Sequence, residues 1–198
     1  MASKAVCQLL SFLALLAPTI AVTGQTVPRF LTPPEFDAGQ HQLQPKLIPG
    51  LSGNAQPDPK QAFLIPGKGT HTLRMIPVKY DSLTPATGNT NYRCGIFFAP
   101  ENGPSVFVPT VGYDFTEVLE CGSLTAVGFM NVTGEELPRL LLVYNAGGIN
   151  GYGPAPVILD YSAAKSMYVP NEKLSTRTYN RGGPITIAHM KQSLRSAK

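Results

Sequence analysis

The sequence is short of the residues on which most catalytic and metal-binding chemistry rests. In 198 residues there are three cysteines, three histidines, no tryptophan and only 14% charged residues. His41, His71 and His189 lie far apart, and no Gly-x-Ser-x-Gly elbow or His-Glu-x-x-His helix is present to place a nucleophile or a zinc ion. Beyond the N-terminus there is no run of about 18 apolar residues, so no helical membrane span is expected there. Long helices are not expected either, because glycine and proline number 19 each, and both residues interrupt helices. The length suits one domain, which takes roughly 100–200 residues.

What is present begins with a leader. Lys4 precedes the apolar run Leu9–Ala17, and small residues around Thr19–Ala21 or Val22–Gly24 offer cleavage points. This is the pattern of a secretory signal peptide over residues 1–24. Its apolar run, about ten residues, is too short to cross a hydrocarbon core of ~30 Å. A secreted or periplasmic location is therefore expected, with no transmembrane segment after signal removal. Cys7 leaves with the signal. Cys94 and Cys121 remain, and in an oxidising compartment two such thiols close into a disulfide. Two cysteines without a neighbouring histidine fall short of the four ligands of a structural zinc site, and neither metal nor cofactor is expected.

Residues 25–60 carry Pro28, Pro33, Pro34, Pro45, Pro49, Pro57 and Pro59. They read as a Pro-rich arm or linker without packed elements, although Phe30, Leu31, Phe36, Leu47 and Ile48 are apolar points able to dock on a domain. From Gln61 the pattern changes to short β-type runs bounded by turn residues: 63–65, 71–79, 92–98, 105–113, 118–121, 124–131, 140–145 and 156–161. Pro77 pushes the second of these to an edge or a bend. Residues 171–179 suit a short helix, and Ile187, Met190 and Leu194 recur at the spacing of an amphipathic one. The expected fold class for residues 61–198 is mostly β, all-β or α+β: an antiparallel sheet or sandwich of short strands with a short, basic C-terminal helical region.

The charge is uneven. From residue 165 onward Lys165, Lys173, Arg177, Arg181, Lys191, Arg195 and Lys198 face a single acid, Glu172. Such an excess is a solvated face, or else a patch for nucleic acid, anionic lipid or an acidic envelope polymer. Nucleic acid is the least expected of these, because only Tyr168 and Tyr179 interleave the cations. The stretch Gly147–Gly153 has no phosphate-loop register and reads as a hairpin loop. Tyr152 at its tip, with Tyr144 and Tyr161 on the flanking strands, marks a candidate binding edge, and Lys191 and Arg195 add a basic one. For acid–base work the candidates are Glu117 with Glu120, Glu135 with Glu136, and Asp114 with Glu117.

The segment Val127–Tyr144 is apolar strand, polar turn, apolar strand. It resembles the strand–loop–strand unit of the FG-GAP/VCBS type found in integrin-like β-propeller blades. The resemblance implies an antiparallel pair whose loop acids hold calcium, with Asn131, Thr133 and Glu135 at the first, third and fifth ligand positions. Glu136 stands where that pattern has glycine, and Arg139 where it has the closing acid. A cation at the closing position opposes Ca²⁺, which takes six to eight oxygens, so the unit is expected without metal. Asn131-Val132-Thr133 is a glycosylation sequon, modified only in a eukaryotic secretory pathway.

These features favour a secreted or periplasmic, non-enzymatic binding domain whose partner is a protein or a component of the cell envelope. The alternatives are a small cell-wall or polysaccharide hydrolase using a carboxylate pair, and a structural protein assembling through its N-terminal arm. Thiol titration of the purified, unreduced protein checks the cysteine assignment. No free thiol is expected from Cys94 or Cys121, and two reactive thiols would remove the bridge.

Overall fold

The computed structural model describes residues 27–67, 72–83, 90–111, 120–148 and 151–196. The signal segment 1–24 and the expected strand ends at 71, 112–113 and 118–119 lie outside the described residues. Among the described residues ten strands run in the order β1 (Arg29–Phe30), β2 (Leu51–Pro57), β3 (Phe63–Pro66), β4 (Thr72–Leu83), β5 (Thr90–Pro100), β6 (Val106–Val111), β7 (Glu120–Met130), β8 (Arg139–Gly148), β9 (Gly151–Ser162) and β10 (Met167–Pro170). The helices are α1 (Pro33–Gln40), α2 (Glu172–Asn180) and α3 (Ile187–Arg195). One sheet has the order β1-β3-β4-β5-β6, with β2 also on β4, and the other has β10-β9-β8-β7. Every pairing is antiparallel. The fold is mostly β with short C-terminal helices, as the sequence pattern implies.

The central strands explain the layering. Residues 94–99 of β5 and 140–144 of β8 are buried without interruption, so both faces of each strand are covered; a half-exposed strand would alternate. Inward-facing Met75, Ile96, Phe98 and Val108 meet Leu140, Leu142, Val157 and Leu159 in one core between the sheets. Ile76, Val78, Tyr80, Phe97 and Phe107 form a second cluster on the outer face of the first sheet. Leu141, Val143 and Ile158 form a third with Met190 and Leu194 of α3.

The second cluster is covered by the Pro-rich segment, which does form packed elements. Ile48 is buried in it, and Leu31, Phe36, Leu43, Leu47, Leu51 and Ala55 pack against it. The prolines fall where their missing N–H costs nothing. Pro33 and Pro34 open α1, and Pro45 and Pro59 open 3-10 turns at Pro45–Leu47 and Pro59–Gln61, positions whose N–H groups have no partner within the helix. The Glu35 carboxylate accepts from the backbone N–H and hydroxyl of Thr32, both at 2.9 Å, and from both terminal nitrogens of Arg29 at 2.8 and 2.6 Å. Those bonds, the Arg29 bonds foremost, hold the Glu35 carboxyl down at about 2.

Pro77 sits in a central strand, not at an edge or a bend. On one side β4 pairs with β5 along its whole length. On the other, β3 pairs with residues 72–75 and β2 with residues 78–82, which leaves Pro77 in the gap between two partners. The Asp58 N–H donates to the Pro77 carbonyl at 2.8 Å. Proline is tolerated because no neighbour asks for its N–H. The expected runs 118–121 and 124–131 merge within the described residues into β7, interrupted by register shifts at Cys121/Ser123 and Leu124/Ala126.

Helix α3 docks on the second sheet at a glycine. A Cβ on Gly128 would lie 2.3 Å from Cγ2 of Ile187, so the helix approaches β7 only because that carbon is absent. Gly128→Ala is expected to lower unfolding stability by about 1–3 kcal/mol. Combining it with Ile187→Ala should recover part of that loss in a double-mutant cycle read by denaturant unfolding; strict additivity would show that the contact is not shared.

Candidate functional site

Cys94 on β5 and Cys121 on β7 belong to different sheets, and their sulfurs lie at disulfide distance, 1.99 Å, with Cα atoms 5.8 Å apart. Beside them β6 carries one residue more than β5: Cys94 pairs with Val111 and Gly95 with Pro109, leaving Thr110 without a partner in register. A bulge of this kind re-aims its side chain. Thr110 is fully buried, and its hydroxyl donates to the Cys94 carbonyl at 3.1 Å and meets the Tyr144 hydroxyl of β8 at 2.8 Å. Tyr144 is itself buried, and that burial pushes its phenol above its ordinary pKa. Its hydroxyl is therefore spent within the fold, linking β8 to β6.

The three tyrosines marked by the sequence go to three environments. Tyr161 is half-buried, with its ring edge-on to the buried Tyr168 at 5.6 Å, and burial followed by the nearby Glu136 carboxylate raises its phenol. Tyr152 is 56% exposed. Its hydroxyl donates to Glu120 at 2.7 Å, a bond that raises the phenol, and its ring rests against Gly122 and Gly147. In register Tyr152 opposes Gly147, four pairs beyond Val143, so it shares the face of the second sheet on which α3 lies. Of the three, only Tyr152 offers a broad surface to a partner.

Lys191 and Arg195 lie on α3, Lys173 and Arg177 on the neighbouring α2, and Lys198 outside the described residues. Helix α2 is capped by Asn171, whose side-chain oxygen accepts from the Leu174 N–H at 3.0 Å, and α3 by Thr186, which accepts from the His189 N–H at 3.2 Å. Arg181, just past α2, donates to the Ser193 carbonyl at 2.8 Å and to its hydroxyl at 3.0 Å, bracing α2 against α3. Lys173 and Arg195 are exposed, Arg177 and Lys191 half-buried. Among the described residues none of these cations has a carboxylate partner; the ion pairs described are Arg29–Glu35 and Arg139–Asp160.

The hairpin β7–β8 contains the segment resembling the calcium-loop unit. Asn131, Thr133 and Glu135 are exposed on its turn. Arg139 bonds Asp160 on the neighbouring strand, and Asp160 also accepts from the Asn171 side chain at 2.6 Å. Among the described residues no group of three or more His, Cys, Asp or Glu side chains converges as a metal site. Asp114 and Glu117 lie outside the described residues, so of the suggested carboxylate pairs only Glu135 with Glu136 is described, at that surface turn. A shallow cleft of about 240 Å³ opens beside Asp58, Lys79, Ser123 and Tyr144, and another of about 510 Å³ beside His41, Lys46 and Ser105. Asp58 is occupied as the cap of its 3-10 turn, accepting from the Lys60 N–H at 2.9 Å.

No protein-family model, curated protein or solved structure matches the chain. The sequence did not single out Thr110, and it marked Glu120 as an acid–base candidate with Glu117 rather than as the acceptor for Tyr152. Thr110 carries no local signal because its role comes from a bulge between distant strands, whereas Lys173, Arg177 and Arg181 were visible as charge but not as a layer. The buried hydroxyl pair yields an asymmetric expectation. Thr110→Val leaves the Tyr144 hydroxyl buried without a partner and should cost about 1–3 kcal/mol, whereas Tyr144→Phe leaves Thr110 its carbonyl acceptor and should cost only about 0.5–1.5 kcal/mol. Denaturant unfolding of both variants tests the order, and the reverse ranking would remove the network from the account.

Proposed function

We propose that this protein is an exported, non-enzymatic binding domain that engages a component of the cell envelope through the layer formed by α2 and α3. The observation that carries the reading is the set of cations on that layer that, among the described residues, have no carboxylate partner: Lys173, Arg177, Arg181, Lys191 and Arg195 against Glu172 alone. A folded chain with both signs of charge tends to intersperse them, and a one-signed field draws in an oppositely charged partner. Export is supported by the leader pattern and by the cysteine pair between the sheets, since such bridges persist in oxidising compartments. The binding role is further supported by how the apolar surface is used, because the N-terminal segment and the C-terminal helices both spend their apolar side chains on the sheets.

Capture from solubilised envelope extract tests this reading. Deleting the N-terminal segment is unsuitable, because it would uncover Ile76, Val78 and Tyr80. The informative comparison is the intact protein against Lys191→Glu/Arg195→Glu, with folding checked by thermal unfolding. The intact protein is expected to retain a partner that the folded variant loses, and more weakly as salt shortens the Debye length from ~10 Å toward ~3 Å. Retention that is equal in both proteins, or absent in both, overturns the assignment.

A further inference from the structure

Resting on that reading, we infer that the α2–α3 layer is a flat electrostatic docking face for a lipid bilayer bearing anionic headgroups. The described clefts lie elsewhere, one beside β2, β4 and β7 and the other between the N-terminal segment and the β5–β6 turn. An acidic peptide or a single small anion is held in a concavity by converging groups. Helices α2 and α3 pack on each other and on β7, β8 and β9, and the solvent sides of two helices laid over a sheet suit a planar partner.

The two helices divide their side chains between the sheet and solvent. Met190 and Leu194 of α3 belong to the outer apolar cluster of the second sheet, and Leu174 of α2 packs against it. Their apolar faces are thus consumed within the fold, and neither helix has one left to sink into acyl chains as an amphipathic anchor does. The side turned to solvent carries Glu172, Lys173, Thr176, Tyr179 and Asn180 on α2, and Ala188, Gln192 and Arg195 on α3, with Lys191 half-buried beside them. Contact by such a face is peripheral and electrostatic. Basic residues near an anionic leaflet contribute about 1 kcal/mol each and lose that contribution within a Debye length.

Tyr179 is 60% exposed on α2 among these cations. A ring with an apolar body and a polar tip favours the headgroup region. The brace from Arg181 to the last turn of α3, through the Ser193 carbonyl and hydroxyl, fixes the spacing of the two helices, so the cations approach a surface as one array. Single-stranded nucleic acid would instead call for several stacking rings between the cations, and the other tyrosine of this region, Tyr168, is buried.

Vesicle co-sedimentation of the full chain after signal removal tests the inference, with vesicles of phosphatidylcholine alone and vesicles containing added phosphatidylglycerol. Binding is expected only to the anionic vesicles. Lys173→Gln, Lys191→Gln and Arg195→Gln should each weaken it about fivefold and the triple variant about 100-fold, from ~1 kcal/mol per cation. Lys46→Gln, on the N-terminal segment that covers the opposite sheet, removes the same charge and should leave binding unchanged; thermal unfolding confirms that each variant is folded. Equal binding to both vesicle types, no binding to anionic vesicles, or an equal loss with Lys46→Gln overturns the bilayer assignment. If anionic vesicles fail while the envelope-extract partner is still lost in Lys191→Glu/Arg195→Glu, a protein or polymer partner replaces the bilayer and the binding reading stands. Failure of both assays removes both.

Discussion

Two sheets have four faces, and in this chain all four are apolar. That constraint places everything else. Only two faces can cover each other, as Ile96 and Phe98 do against Leu142 and Leu159. The outer faces, bearing Ile76, Val78 and Phe97 on one sheet and Leu141 and Ile158 on the other, must be covered by the remaining chain. A buried side chain of this size contributes about 1.5–3 kcal/mol relative to exposure, so leaving either face open would cost more than a typical domain's margin of about 5–15 kcal/mol can absorb. The N-terminal segment covers the first sheet and the C-terminal helices the second, each adjacent in sequence to the sheet it covers. Short connections between neighbouring elements are what chain connectivity favours.

The two sheets are held in one relative position by specific contacts as well as by packing. The Cys94–Cys121 pair and the Thr110–Tyr144 hydroxyl contact lie close together, and the extra residue in β6 is what turns Thr110 toward Tyr144. Gly95 is part of the same arrangement: a Cβ there would lie 2.2 Å from the Phe107 ring and 2.8 Å from the Val108 carbonyl oxygen. At the far side of the same core Tyr168 stacks on Phe98, with ring centres 4.7 Å apart, and donates to the Pro138 carbonyl at 2.8 Å. Buried polar groups are thus paired across the sheets, which favours one register over its alternatives.

Much of the fold was legible locally. The runs 63–65, 92–98, 140–145 and 156–161 each fall within a strand, and residues 171–179 and the Ile187, Met190, Leu194 spacing correspond to α2 and α3. Strand and helix periodicities are properties of a few consecutive residues and survive whatever lies across from them. The Pro-rich segment was less legible because proline has opposite meanings inside a helix and at its first turn, and only the chain's path over Ile76 and Tyr80 showed which applied. Pro77 misled for a related reason, since whether a strand position needs its N–H depends on a neighbour far away in sequence. Of the candidate site, Tyr144 looked equivalent to Tyr152 as a residue on the glycine hairpin. One is sealed between the sheets and the other faces solvent, a difference set by which face of the second sheet each occupies.

By itself the sequence determined that the fold would be mostly β and antiparallel, although β4, β5, β7, β8 and β9 run 10–12 residues, longer than the short runs expected, that two cysteines were available to bridge the strands, and that positive charge would gather after residue 164. All three depend on composition or on short-range pattern. The tertiary structure decided that the bridge joins different sheets, that the Pro-rich segment is a packed layer, and that the cations of α2 and α3 have no carboxylate partners among the described residues. Those outcomes depend on bulges at Thr110 and within β7, on the gap at Pro77 and on the close approach at Gly128. Each is an encounter between residues distant in sequence, and no local periodicity encodes which of them meet.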